Sequence, residues 1–369
     1  MNKTTTIGLL LILLLTAAET FSQTVFEPSD GSWQAFDVTN NSAASSGLSD
    51  SNVPFSSNPY DAGLAYPGYG SYSAGQDNVG VYNMYNTAEQ GGFNAYDVSG
   101  QNGLSTSDEC EYNNTPWRAQ VLPAGLIYPS YLAGRKEPRL ASEMTNERKY
   151  GWLWDITLGG RMPLFRYGTV NPIQPEGFQI DLEGAALLRL DFERDRELAG
   201  TDYRAGLPLT YGTRHWQYKL AYYHVSSHLG DHYMQANFRT PRVQYVRDSV
   251  VFGAAWRAWR AFRAYGEVGW AFNTGETTDP FEVQFGLEYT QPYQPVKNWT
   301  GSPFAAVDVH LFQELNFSGY VNFQAGWQWR GPINNLFRLG LEVYSGCDDQ
   351  FQFHTMYQRK IGFGIWYDF

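Results

Sequence analysis

Beyond its first two dozen residues, the chain has no apolar run approaching the roughly 20 residues that a helix needs to cross a bilayer. The one short run, Ile7 to Leu15, follows Lys3 and precedes Thr20-Phe21-Ser22, the order of charge, apolar stretch and small residues found in an export signal. Residues 1–22 are therefore read as a signal peptide, and transmembrane helices are excluded. Cysteine is nearly missing as well, with only Cys110 and Cys347. Two thiols cannot organise a disulfide framework, although export would permit one bridge across a long span.

Basic residues are missing from one part of the chain altogether. Between Thr24 and Trp117 there is no Lys or Arg, while eleven carboxylates from Glu27 to Glu111 account for the whole net charge of -11. The remainder, from Arg118 onward, holds 25 basic and 25 acidic residues. Such a balance leaves no footprint for nucleic acid.

The acidic segment also lacks any apolar period: Ser, Asn and Gly are interrupted by isolated tyrosines such as Tyr60, Tyr66, Tyr69 and Tyr82. It cannot bury enough apolar surface to offset chain entropy, so residues 23–117 are expected to be disordered. A solvated linker is the plain reading; tyrosines acting as stickers for a partner or for peptidoglycan is the other.

What the chain has in quantity is aromatic residues (12 Trp, 26 Tyr and 23 Phe) and strict alternation from about Gly151 onward. Phe281, Val283, Phe285, Leu287 and Tyr289 share one face of a strand, opposite Glu282, Gln284, Gly286 and Glu288. Phe337, Leu339, Leu341 and Val343 alternate in the same way with Arg338, Gly340, Glu342 and Tyr344. Phe178, Ile180, Leu182, Ala186 and Leu188 lie opposite Gln179, Asp181, Glu183 and Arg189.

A soluble sandwich alternates too, but these strands reach ten or more residues, the length of a tilted membrane-spanning strand, and carry aromatics toward their ends. The final strand places Ile361, Phe363, Ile365, Tyr367 and the terminal Phe369 on one face. That ending resembles the C-terminal assembly signal of bacterial outer-membrane proteins, which implies the barrel assembly machinery as a partner through Phe369.

Eleven strands are expected near 152–167, 178–192, 203–211, 214–228, 243–257, 262–273, 281–291, 303–312, 317–329, 335–346 and 358–369. Barrels of this kind usually have an even count, so a twelfth is sought in 119–132, against which Pro123 and Pro129 argue. The expected fold is all-β: a transmembrane antiparallel up-and-down β-barrel of about twelve strands over residues 118–369, in the cell outer membrane. Its short turns would be periplasmic and the longer stretches 229–242 and 347–357 external.

The most unusual local composition is Tyr222-Tyr-His224-Val-Ser226-Ser-His228-Leu-Gly-Asp231-His232. Period two continues the apolar face of Trp216, Tyr218, Leu220 and Tyr222 through His224, Ser226 and His228. His224 and Ser226 are then same-face neighbours, close enough for an imidazole to take a serine proton.

The His-x-Ser pair resembles the short motif of outer-membrane phospholipase A and of the lipid A deacylase. This implies a lipid-ester hydrolase with Ser226 as nucleophile, His224 as base, outer-membrane lipids as substrate and a third polar or acidic orienter. The families place that third member about where Asn237 stands; Asp248 on the next strand is the alternative. No cofactor is expected, with calcium the ion that a lipase-like activity would bring.

A wider stretch is similar to DUF1207, a bacterial family of unknown function whose members end as barrels. The similarity rests on His224 to Asp231, on Arg242, Tyr245, Arg247 and Asp248, and on Ala133-Gly-Arg-Lys-Glu-Pro-Arg139. It implies the fold and no activity.

Two other readings of the histidine stretch stay open. His224, His228 and His232 are four apart, but on a strand that spacing is roughly 13 Å, so no shared metal is expected. The plain reading is a rim hairpin turning at Gly230 and Asp231. A narrow porin or transporter is the third class, although inward charges of both signs offer no filter. The leading functional reading is thus an outer-membrane barrel of uncharacterised activity, structural or envelope-associated.

The disorder expected of residues 24 to about 117 is checked by limited proteolysis with an enzyme that does not require basic residues. It should strip this segment and leave a resistant core; a protected N-terminal fragment would reveal a folded domain there instead.

Overall fold

The computed structural model describes residues 116–236, 243–258, 261–275, 278–291 and 300–369. The leader, nearly all of the acidic segment, Cys110, Asn237 and Arg242 lie outside the described residues.

Among the described residues thirteen strands form one antiparallel sheet. They are β1 (Arg118–Val121), β2 (Leu140–Glu147), β3 (Gly151–Gly168), β4 (Gly177–Asp191), β5 (Glu197–Gly212), β6 (Trp216–Leu229) and β7 (Val246–Ala258). There follow β8 (Phe262–Thr274), β9 (Phe281–Thr290), β10 (Ser302–Phe312), β11 (Ser318–Arg330), β12 (Leu336–Cys347) and β13 (Tyr357–Asp368), with a short helix, α1 (Asp231–Ala236), after β6. Because β2 pairs with both β3 and β13, strands β2 to β13 close into a twelve-stranded barrel. The turn at Gly331 to Asn335 lies at the end where β13 finishes, and α1 and the β12–β13 loop lie at the other.

All eleven expected strands are present, but the twelfth is not 119–132. Only Arg118–Val121 of that stretch is extended, pairing with β3 at Phe165–Gly168. The missing barrel strand is β2, pairing with β3 at Gly151–Leu158. β1 and β2 therefore share one edge of β3, since β4 runs along the other. They are two pieces of one barrel strand, interrupted by residues 122–139. Alternation concealed β2 because its outward face mixes Leu140 and Met144 with polar Ser142 and Asn146: Glu143, Thr145 and Glu147 are buried inside, and outward Ser142 accepts a hydrogen bond from Trp154 Nε1 at 2.9 Å.

The polarity of the barrel is the reverse of a soluble protein's. Leu158, Met162, Leu182, Phe252, Val268, Leu341, Ile361 and Phe363 are exposed on the outer wall, while Gln179, Asp181, Arg189, Lys219, Arg338 and Glu342 are buried within. An apolar exterior around a charged lumen is the arrangement of a barrel solvated by lipid. The alternating segments point as their sequence requires.

The lumen is filled by residues 122–139, an irregular segment that would leave its backbone groups orphaned without partners. The wall supplies them. Arg166 donates to the carbonyls of Ala124 at 3.0 Å and Gly125 at 2.5 Å, Arg263 to Pro129 at 2.9 Å, Arg338 to Leu132 at 3.1 Å and Asn322 to Ala133 at 2.8 Å. Tyr131 stacks on Tyr265 with ring centroids 3.7 Å apart and donates to Glu267 at 2.6 Å.

The Ala133 to Arg139 motif lies within this plug. Arg135 bonds Asp155 and Glu342 at 2.8 Å, Asp349 at 3.1 Å, and Glu143. Asp349 belongs to the β12–β13 loop, which folds inward so that Asp348 to His354 are buried. Burial alone would raise its carboxyl pKa, but Arg135, Lys360 and Arg189 hold it well below the usual carboxylate range. Beside it, Phe351 lies over Lys136, whose ammonium is 2.5 Å from Asp202.

Arg135→Ala would leave Glu143 and Glu342 buried without their ion-pair partner, while Asp155 and Asp349 keep Arg189 and Lys360, a loss of about 3–5 kcal/mol. The urea midpoint should fall accordingly with little change of slope. An unshifted midpoint would mean that the Arg135 ion pairs contribute nothing to stability.

Candidate functional site

The polar row foreseen on the outer wall of β6 is present. Tyr222, His224, Ser226 and His228 point outward, while the intervening Tyr223 and Ser227 are buried in the lumen, where Ser227 Oγ bonds Asp202. The alternation of β6 thus separates two adjacent serines: one faces lipid and the other faces the lumen network.

Antiparallel pairing sets Asp248 of β7 directly opposite His224. Asp248 Oδ1 lies 2.7 Å from His224 Nδ1 and also accepts from Tyr222 Oη at 2.7 Å; Oδ2 accepts from Asn273 Nδ2 at 2.6 Å. An ionised carboxylate can only accept, so Nδ1 carries the imidazole proton and the lone pair of Nε2 is left for another donor. The candidate nearest in the row is Ser226, the next residue on the same face. Among the described residues no hydrogen bond joins its hydroxyl to the imidazole, a looseness common before substrate binds.

The site stands at a boundary. Leu220, Val250, Phe252, Trp270 and Phe272 are exposed below it, and β6 ends only three residues beyond Ser226. The pair therefore lies where the exposed apolar band gives way to the end of the barrel wall.

Of the orienters considered, Asp248 meets His224, and Asn237 is outside the described residues. His228 is exposed on the same face, its ring edge-on to Tyr203 at 5.8 Å. Gly230 and Asp231 do not form a simple turn: Asp231 opens helix α1. That helix also contains His232, whose side chain is outside the described residues. Arg247 is inside the barrel, against Glu314 and the carbonyls of Asp279 and Pro280, and takes no part on the outer wall.

Sequence reasoning missed Asn273. Alternation from Trp270 and Phe272 would turn it inward, but the register of β7 and β8 shifts between Asp248 and Ser249. Phe272 is the extra residue of this bulge, and Asn273 is brought to face Asp248.

The family model for proteins of unknown function, DUF1207, matches residues 78–369. The chain belongs to that family. No curated protein matches this DUF1207 member. Among solved structures it is similar to outer membrane phospholipase A from Escherichia coli at 14% identity and TM-score 0.43, over 65% of this chain and 91% of that one. The Salmonella typhi outer membrane phospholipase dimer with bound calcium gives 11% identity and TM-score 0.44 over the same shares, 65% and 91%. The KdgM porin in complex with disordered oligogalacturonate gives 8% and 0.34, over 62% of this chain and 99% of that one.

The His224–Asp248 contact has a direct spectroscopic test. In 15N-labelled barrel in detergent, the neutral His224 ring should show its proton on Nδ1 and an unprotonated Nε2, and Asp248→Ala should abolish that preference. A proton on Nε2 in the unsubstituted protein would contradict the contact.

Proposed function

We propose that this DUF1207 barrel resides in the bacterial outer membrane and hydrolyses lipid acyl esters at its outer wall. The observation that carries the reading is the 2.7 Å contact between His224 Nδ1 and Asp248, with Ser226 as the next same-face residue. A base held by a carboxylate beside a hydroxyl is the arrangement that activates a serine nucleophile.

In this reaction Ser226 Oγ attacks the acyl carbonyl while its proton passes to His224 Nε2. Collapse of the tetrahedral intermediate breaks the ester bond, and the imidazolium protonates the departing alcohol oxygen of the lysolipid. Water then attacks the acyl-serine ester, giving its proton to His224, and a fatty acid leaves as Ser226 recovers its own. Asp248 remains ionised throughout and holds the ring against the charge it acquires. The outer membrane supplies the substrate, so the site needs no entry channel.

The filled lumen favours this reading over a pore. A cavity among Lys136, Arg204, Arg247, Glu282, His310 and Phe351 measures about 40 Å³, room for a few waters.

Purified barrel in mixed micelles should release fatty acid from phospholipid or lipid A, with and without added calcium as parallel arms. Ser226→Ala should remove the activity by several orders of magnitude, and Ser227→Ala should leave most of it. Release no greater than from the Ser226→Ala variant would overturn the reading in favour of a structural rim.

A further inference from the structure

We propose that Asn273 is a positioning residue of this site, holding Asp248 in the one orientation that presents His224 to Ser226. The inference rests on the esterase reading and goes beyond it by assigning a role to a residue on a third strand.

Asp248 stands on an exposed wall, where a carboxylate side chain has rotational freedom and water or lipid headgroups compete for its oxygens. Its two oxygens are divided between partners: His224 and Tyr222 on β6 take Oδ1, and Asn273 on β8 takes Oδ2. Bonds from both flanking strands pin the carboxylate plane, whereas bonds from β6 alone would let it turn about the shared oxygen. Holding Oδ1 on Nδ1 fixes the imidazole and so the direction of the Nε2 lone pair.

The backbone is specialised for this contact. The bulge between β7 and β8 opposes two residues of β8 to one of β7 at Asp248 itself, and without it Asn273 would face the lumen. Bulges re-aim side chains beside active sites at a local loss of ladder bonds. The strand-to-strand hydrogen bonding does not require this one, since β7 and β8 pair from Ser249 to Ala258 in unbroken register. The amide thus completes a relay across three neighbouring strands, Asn273 to Asp248 to His224, with Ser226 as its outlet.

The experiment compares wild type, Asn273→Ala, Asn273→Ser and Thr274→Ala by micellar kinetics on the heat-modifiable, folded fraction. Asn273→Ala should lower kcat roughly 10–100-fold, as loss of a hydrogen bond to a charged group does, while KM stays within about twofold because Asn273 does not touch the substrate. Asn273→Ser, which keeps a donor, should recover part of kcat, and Thr274→Ala should behave as wild type. Should Asn273→Ala not reach the folded state, the kcat of Asn273→Ser decides by the same measure. An active wild type with unchanged kcat in the Asn273 variant overturns this role and leaves the esterase reading standing. A wild type no faster than Ser226→Ala overturns both.

Discussion

The guanidinium of Arg135 is where three separate parts of the chain meet. It comes from the plug that interrupts the first barrel strand, and its carboxylate partners come from the wall (Glu143, Asp155, Glu342) and from the inward-folded loop before the last strand (Asp349). Arg189 and Lys360 hold the same acids from further round the wall. In a lumen shielded from bulk water, each of these charges would be expensive alone, and their mutual pairing is what allows a barrel of this width to be filled with polar side chains. The closed interior follows from that network. With the lumen occupied, chemistry toward lipid has only the outer wall to use.

The reversal of polarity explains which features were legible in the sequence. Where lipid and a charged lumen lie on opposite faces, a strand must alternate, and so β3 to β13 could be located from residues such as Phe337 to Tyr344 alone. β2 could not, because Ser142 and Asn146 face outward in place of apolar residues. Pro123 and Pro129 correctly argued against a strand in 119–132. Nothing local, however, said that the segment would enter the lumen, since its partners Glu267, Glu288 and Arg338 lie more than a hundred residues away in the chain.

The site was legible to the extent that one strand could show it. Period two put His224 and Ser226 side by side and sent Ser227 inward. The pairing of His224 with Asp248 depends on the register of β6 and β7, which loop lengths leave open, so Asp248 and Asn237 stood as alternatives. Asn273 was out of reach because a bulge breaks the alternation by which its face would have been assigned. Arg247 shows the converse: one residue from Asp248, it sits in the lumen against Glu314 and the carbonyls of Asp279 and Pro280.

The outer wall then carries an imidazole, a carboxylate and a hydroxyl on neighbouring strands, the groups the proposed esterase would use, on a barrel whose described interior is filled by the plug and its partners. The measurement that tests this most directly is peptide mapping by mass spectrometry after the intact barrel is exposed to a lipid-like fluorophosphonate. The account predicts one covalent adduct, on Ser226, formed far more slowly when His224 is replaced by Ala. An unmodified Ser226, or an adduct that forms as readily without His224, would contradict it.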